Sequence, residues 1–193
     1  MNYARPISLF LLVLAGFLLN ACGKKEGTND PAPASNDRFK TDMLTQYADQ
    51  LIIPAYGNLA TRLNALEPQV NAFLDQPSAA TLNALRPAFQ DAYVSYQGTS
   101  LAYFGPAGTL LLNNYLNTFP AAPGQIERAV ATGTPNFELP VVNDSIQGFP
   151  ALDYLLFEPG AVGKFTGPQA NARKKYVREV MARMKTLVAT TLT

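Results

Sequence analysis

The chain has 193 residues, 48% hydrophobic and 15% charged, with a formal net charge of +1. That suits one sizeable core, or a core plus a tail, and the scattered Lys and Arg lack the basic patch that nucleic acid calls for. The sequence holds no Trp and no His, which removes Ser-His-Asp and Cys-His catalysis, histidine acid-base work and every His-ligated metal site.

The first 21 residues read MNYARPISLFLLVLAGFLLNA. Arg5 is a minimal positive region, and Ile7 to Leu19 form an uncharged apolar run. The run is shorter than the ~20 residues that span a bilayer but suits the apolar core of a signal peptide. It ends in Leu19-Asn20-Ala21-Cys22, which resembles the bacterial lipobox, where the Cys becomes the first mature residue and carries the lipid. The sequence therefore predicts a lipoprotein signal peptide over 1–21 and lipidation of Cys22, the single cysteine of the chain. An ordinary secretory signal or a signal anchor is the alternative. Loss of Arg5 with the signal leaves 14 basic against 14 acidic side chains, from totals of 15 and 14, so acyl chains rather than charge would hold the mature protein to a membrane. The expected location is the bacterial cell envelope, with the outer membrane ahead of the inner.

Residues 22–37 are read as the lipidated Cys and a flexible linker, since GKKEGTNDPAPASND carries no large apolar residue with which to build a core. From Arg38 to Leu74 the pattern turns helical: Met43, Tyr47, Leu51, Ala55, Leu59, Leu63, Leu66, Val70 and Phe73 step by three and four. Pro54 predicts a kink, and Pro68 a second bend or break. Ser78 is a candidate cap. Leu82, Leu85, Phe89, Tyr93 (or Ala92), Tyr96, Ser100 and Tyr103 make the next stripe, ended by Phe104-Gly105-Pro106. AGTLLLNNYLNTF and GQIERAVATG suggest two short helices, and TPNFELPVVNDS an ordered loop. A short helix is expected from about Ser145 or Phe149 to Phe157. A final one starts near Gln169, with Tyr176 (or Val177), Val180, Met184, Leu187 and Val188 on its apolar face. No strand pattern or internal repeat is visible. The prediction is all-α: an irregular up-and-down bundle of about four main helices over 38–193, its long helices kinked.

GFPALDYLLF, from Gly148 to Phe157, is the stretch with most chemistry. Pro suits the first turn of a helix, where its missing N–H costs nothing. An acid there gains about 0.3–1 kcal/mol from the helix dipole. As a plain helix start, Asp153 is a first-turn acid and Leu152, Leu155 and Leu156 face the core. The other reading keeps Asp153 as an oxygen ligand, which would need carboxylates such as Asp91, Glu138, Asp144 or Glu158 brought beside it. Tyr93, Tyr96 and Tyr103 read as an inter-helix seam, Gln97 and Asp91 as solvated, and Arg173 to Lys175 as a solvated face that can touch lipid headgroups.

In order, IIPAYGNL, AFQDAYVSYQ, AYFGP, the Gly148 stretch and ARKKYVREVMARM resemble the imelysin-like family, also called the insulin-cleaving membrane protease family. The resemblance covers roughly Lys40 to the C-terminus. It implies an exported, all-helical protein, and since members carry two similar bundles, this chain corresponds to the first. Several members are linked to iron. The family signature is G-x-H-x-x-E; here Gly148 matches, Pro150 stands for the His and Asp153 for the Glu. The implied cofactor is a divalent metal or iron, with Asp153 as the ligand that remains. The resemblance supports a non-catalytic binding protein of iron acquisition. A metal-dependent peptidase and a structural or interaction domain that has lost its site are the rivals. The expected partners are the membrane, through Cys22, and an envelope protein or a metal.

Overall fold

The computed structural model describes residues 37–133, 137 and 143–193. The signal peptide, Cys22, most of the linker, Glu138 and most of the loop before Asn143 lie outside the described residues. Two units are distinguished, one ending at Met43 and the other Leu44–Thr193. The described part of the first lies in helix α1 (Asp37–Tyr47), which begins at the last residue of the predicted linker. It carries the exposed ion pairs Arg38–Asp42 at 3.9 Å and Lys40–Asp37 at 3.8 Å, a kind that adds little stability.

The second unit holds the core. It opens on a π-turn, Ala48–Ile52, where the Ile53 N–H donates to Ala48 O. Helix α2 (Ile53–Asp75) follows with Pro54 in its first turn. The irregularity expected at Pro54 is thus a local π register: the proline has no N–H for the i−4 carbonyl, and the widened turn absorbs the mismatch. Pro68 sits inside α2, and Pro87 inside α3 (Ala79–Gln97), without ending either helix. Both prolines are exposed, as are Asn64 and Asn83 four residues earlier, so the carbonyls they leave unpaired reach water.

Ser78 caps α3 with a reciprocal box: the Thr81 N–H donates to Ser78 Oγ at 3.1 Å and the Ser78 N–H to Thr81 Oγ1 at 3.1 Å. The helix stops earlier than the stripe suggested. The Gly98 N–H turns back to Ser95 O, and Thr99 Oγ1 donates to Tyr96 O at 2.7 Å. Ser100 and Tyr103 therefore lie beyond α3, Ser100 in a 3-10 turn, Ser100–Ala102.

Four short helices follow: α4 (Pro106–Thr109), α5 (Leu112–Asn117), α6 (Pro123–Thr132) and, after a 3-10 turn at Asp144–Ile146, α7 (Gly148–Phe157). Leu111 in a left-handed conformation separates α4 from α5, so the predicted single helix is two. Then come α8 (Ala161–Lys164) and α9 (Ala170–Thr191). Among the described residues every regular element is helical.

The main helices are three of 19 to 23 residues (α2, α3, α9) and two of ten (α6, α7). α2 packs along α3, while α9 crosses onto α2 and α7. Leu59, Leu63, Leu66, Val70 and Phe73 of α2 are buried against Leu85 and Phe89 of α3 and Tyr176, Val180, Met184 and Val188 of α9. Each buried large apolar side chain contributes about 1.5–3 kcal/mol. Both Tyr176 and Val177 are buried, so the two alternatives for the start of that stripe both hold.

Candidate functional site

The start of α7 is fixed by a glycine. Gly148 has φ +75°, and a Cβ on it would lie 2.4 Å from Leu116 O and 2.5 Å from Leu116 C and Tyr115 O. The chain therefore enters α7 lying directly on the backbone of α5. Pro150 is buried in the first turn, where its missing N–H is one of four that have no partner within the helix. Leu152, Leu155 and Leu156 face the core as expected. Asp153 does not sit where the helix-start reading put it. The first turn of α7 holds no acid, and Asp153 lies one turn further on, beyond the reach of the dipole. Its placement needs another reason.

The reason is a cleft of about 410 Å³ between α3, α7 and the segment before α6. Residues three apart share a helix face, and Pro150 and Asp153 both line this cleft. The buried rings of Phe89 and Phe149 form its floor, 5.9 Å apart and at 73°. Tyr93 leans on Phe149 at 5.0 Å, and Phe157 meets Phe89 edge-on at 5.1 Å. Phe119 stands 81% exposed at the mouth. The Tyr93–Tyr96 pair is a seam, as expected, with rings stacked at 6.4 Å. Their hydroxyls donate to Asn117 Oδ1 at 3.0 Å and Asn113 Oδ1 at 2.8 Å, so two asparagines one turn apart on α5 satisfy two tyrosines one turn apart on α3. Burial pushes the Tyr96 phenol well above its ordinary range.

Two carboxylates border the cleft, and they differ. Asp153 reaches solvent and forms no side-chain hydrogen bond or ion pair with another described residue. Desolvation of its flank raises its carboxyl above the ordinary value, against the opposing charge of Arg86. Glu158 is engaged: Oε1 accepts from Arg173 Nη1 at 3.1 Å and Oε2 from Lys164 Nζ at 2.6 Å. Arg173 Nη2 also donates to Glu127 Oε1, which accepts from the Tyr154 hydroxyl at 2.7 Å and Lys164 at 3.4 Å. Desolvation works to raise Glu127, but the hydrogen bonds from Tyr154 and Arg173 and the nearby cations outweigh it and hold its carboxyl low. Lys164 is held above its ordinary value, first by its hydrogen bond to Glu158.

This network corrects the reading of Arg173 to Lys175 as a solvated face. Arg173 is only 2% exposed. It stands in the first turn of α9, facing back onto α7 and α6 rather than out to solvent. Nothing in the local sequence separates Arg173 from its two lysine neighbours, so its role was not visible there. The cleft rings were also missed as a group, although Phe89 and Tyr93 at i, i+4 and the aromatic ends of GFPALDYLLF carry the signal.

Of the carboxylates suggested as partners for Asp153, Glu138 lies outside the described residues, and of the other three Glu158 alone lines its cleft. Asp91 pairs with Arg62 at 3.5 Å on another surface. Buried Asp144 accepts from Asn114 Nδ2 at 3.1 Å, and Glu158 is bound by Arg173 and Lys164. Among the described residues no three His, Cys, Asp or Glu side chains gather as a metal site. With Pro150 in place of the imidazole, one unpaired carboxylate is left at the signature position. That donor set does not fit a tightly held cation, which takes several protein ligands.

The chain is similar to known proteins along most of the second unit. The imelysin family profile (peptidase M75) matches residues 52–193. Iron-regulated protein A of Synechococcus elongatus is 26% identical over 140 residues, covering 72% of this chain and 35% of that protein. A solved iron-regulated protein A precursor from Parabacteroides distasonis superposes with a TM-score of 0.68 at 22% identity, over 83% of this chain and 45% of that one. An imelysin-like protein from Psychrobacter arcticum superposes at 0.63 and 21%, over 80% and 49%. These two establish likeness of fold. The chain spans about a third of the curated relative and under half of each solved one. The profile match over residues 52–193 places the chain in the imelysin family.

Proposed function

We propose that this chain is a non-catalytic binding protein of the cell envelope, linked to iron acquisition and held to the outer membrane through lipid on Cys22. The observation that carries the reading is the convergence of Pro150 and Asp153 on one aromatic cleft. The altered signature still faces a cavity, so the position keeps a surface able to hold a ligand. It lacks the imidazole and the paired carboxylate that a metallopeptidase site uses to activate water. The link to iron comes from the iron-regulated relatives, and the anchor from the lipobox-like Leu19-Asn20-Ala21-Cys22.

Deletion of the gene tests the iron link. Growth should fall at least several-fold in chelator-treated medium and return with added iron; growth that is equal with and without iron overturns it. Cys22→Ser should move the protein from the membrane to the soluble fraction, and retention in the membrane overturns the anchor. Titration of the tag-free mature protein with Fe and Zn should show no binding tighter than micromolar, unchanged in Asp153→Ala. Chelator-sensitive hydrolysis of a peptide substrate, lost in Asp153→Ala, would establish the peptidase reading instead.

A further inference from the structure

We propose that the cleft between α3 and α7 takes an organic cation, an amine or quaternary ammonium on an apolar body, with the charge against Asp153 and the body among the rings of Phe89, Tyr93 and Phe157. The inference rests on the reading of this cleft as a binding site and gives its ligand class. Its volume, about 410 Å³, falls in the range of small-molecule sites, ~300–1,000 Å³. Its walls are aromatic, and their planes differ: Phe157 stands at 69° to Phe89, and Phe149 at 73° to Phe89. Rings set at steep angles form an apolar corner that the body of a ligand can fill.

One face of Phe157 is already taken, since the Arg86 guanidinium lies 4.5 Å over its centroid. The charge of Arg86 is felt at Asp153, but the two make no ion pair, so the carboxylate can still take a second cation. Glu158 does not compete, because Arg173 and Lys164 take both its oxygens. The exposed ring of Phe119 at the mouth supplies an apolar surface for the body of the ligand. A neutral apolar ligand would leave Asp153 desolvated and unpaired, and an anion would meet it as a like charge.

Three probes of similar shape separate these cases: phenethylammonium, 2-phenylethanol and 3-phenylpropanoate, titrated against the full chain in detergent and followed by ligand-observed NMR. Phenethylammonium should bind at least tenfold tighter than the alcohol, and phenylpropanoate weakest. Asp153→Asn should bring the cation down to the level of the alcohol and leave the alcohol unchanged. Asp153→Glu should keep the preference. Asp153 is exposed, so both variants should melt with the wild type. Tyr93→Leu and Phe157→Leu should weaken the cation and the alcohol alike, since the rings hold the body that both share. Equal binding of cation and alcohol overturns the inference and leaves the cleft a binding site. Binding of none of the three also overturns it, while the growth of the deletion strain tests the broader reading independently.

Discussion

Gly148→Ala should destabilise the protein by about 2–5 kcal/mol. Two costs add at this position. The backbone sits at φ +75°, where an L-residue pays about 1–2 kcal/mol. The new Cβ also lies 2.4 Å from Leu116 O, an atom of a helix backbone that cannot swing aside as a side chain can. Forcing the two apart separates the start of α7 from α5 and disturbs Phe149, Leu152 and Leu155, with a repacking cost of about 1–3 kcal/mol. For a domain of this size each kcal/mol is about 2–4 °C of melting temperature, so a fall of roughly 10 °C is expected by circular dichroism. Gly160→Ala is the internal control. Gly160 has φ +78° but nothing within 4 Å of the added carbon, so it should cost about 1–2 kcal/mol. Equal losses in the two variants would show that the contact with Leu116 is not what makes Gly148 necessary.

That contrast also bears on the altered signature. Of its three marked positions, Gly148 meets the need for a close approach to the backbone of α5. Pro150 fits the first turn of α7, and Asp153 faces the cleft.

The helices were legible because their apolar residues repeat at three and four, and because Ser78 and Gly133 stand where a cap and a left-handed stop are needed. The end of α3 was not, since the stripe through Ser100 and Tyr103 continues in sequence after the backbone has turned at Gly98 and Thr99. Periodicity records which residues are apolar, and turns near a helix end can keep them on one side. The break at Leu111 was hidden for a related reason: a leucine with φ 51° runs against its own preference, and nothing in the neighbouring sequence marks it. The cleft needs residues from α3, α7 and the segment around Phe119, more than 20 positions apart in sequence. The burial of Arg173 depends on Glu127 and Glu158 arriving from two other helices. No local pattern encodes either arrangement.

Arg173→Met should cost about 3–5 kcal/mol, the range for removing one partner of a buried ion pair. The guanidinium is almost fully buried, and its removal leaves the Glu127 and Glu158 carboxylates with Lys164 as their one cation among the described residues. The loss comes mainly from those stranded charges, so Arg173→Met combined with Glu127→Gln and Glu158→Gln should recover much of it. The pH dependence has a definite sign. The carboxyl of Glu127 is lowered in the folded state, so its contribution is present above the ordinary Glu value, about 4.3, and is lost as pH falls through the folded value. Lys164 is raised, so its contribution is present below the ordinary Lys value, about 10.4, and is lost as pH rises through the folded value. Urea unfolding should therefore show the largest gap between wild type and Arg173→Met from about pH 5 to pH 9, narrowing on acidification as Glu127 protonates. A gap that stays constant down to pH 3 would mean that Arg173 matters through its packing on Phe165 and not through the carboxylates, and the triple variant would then show no recovery.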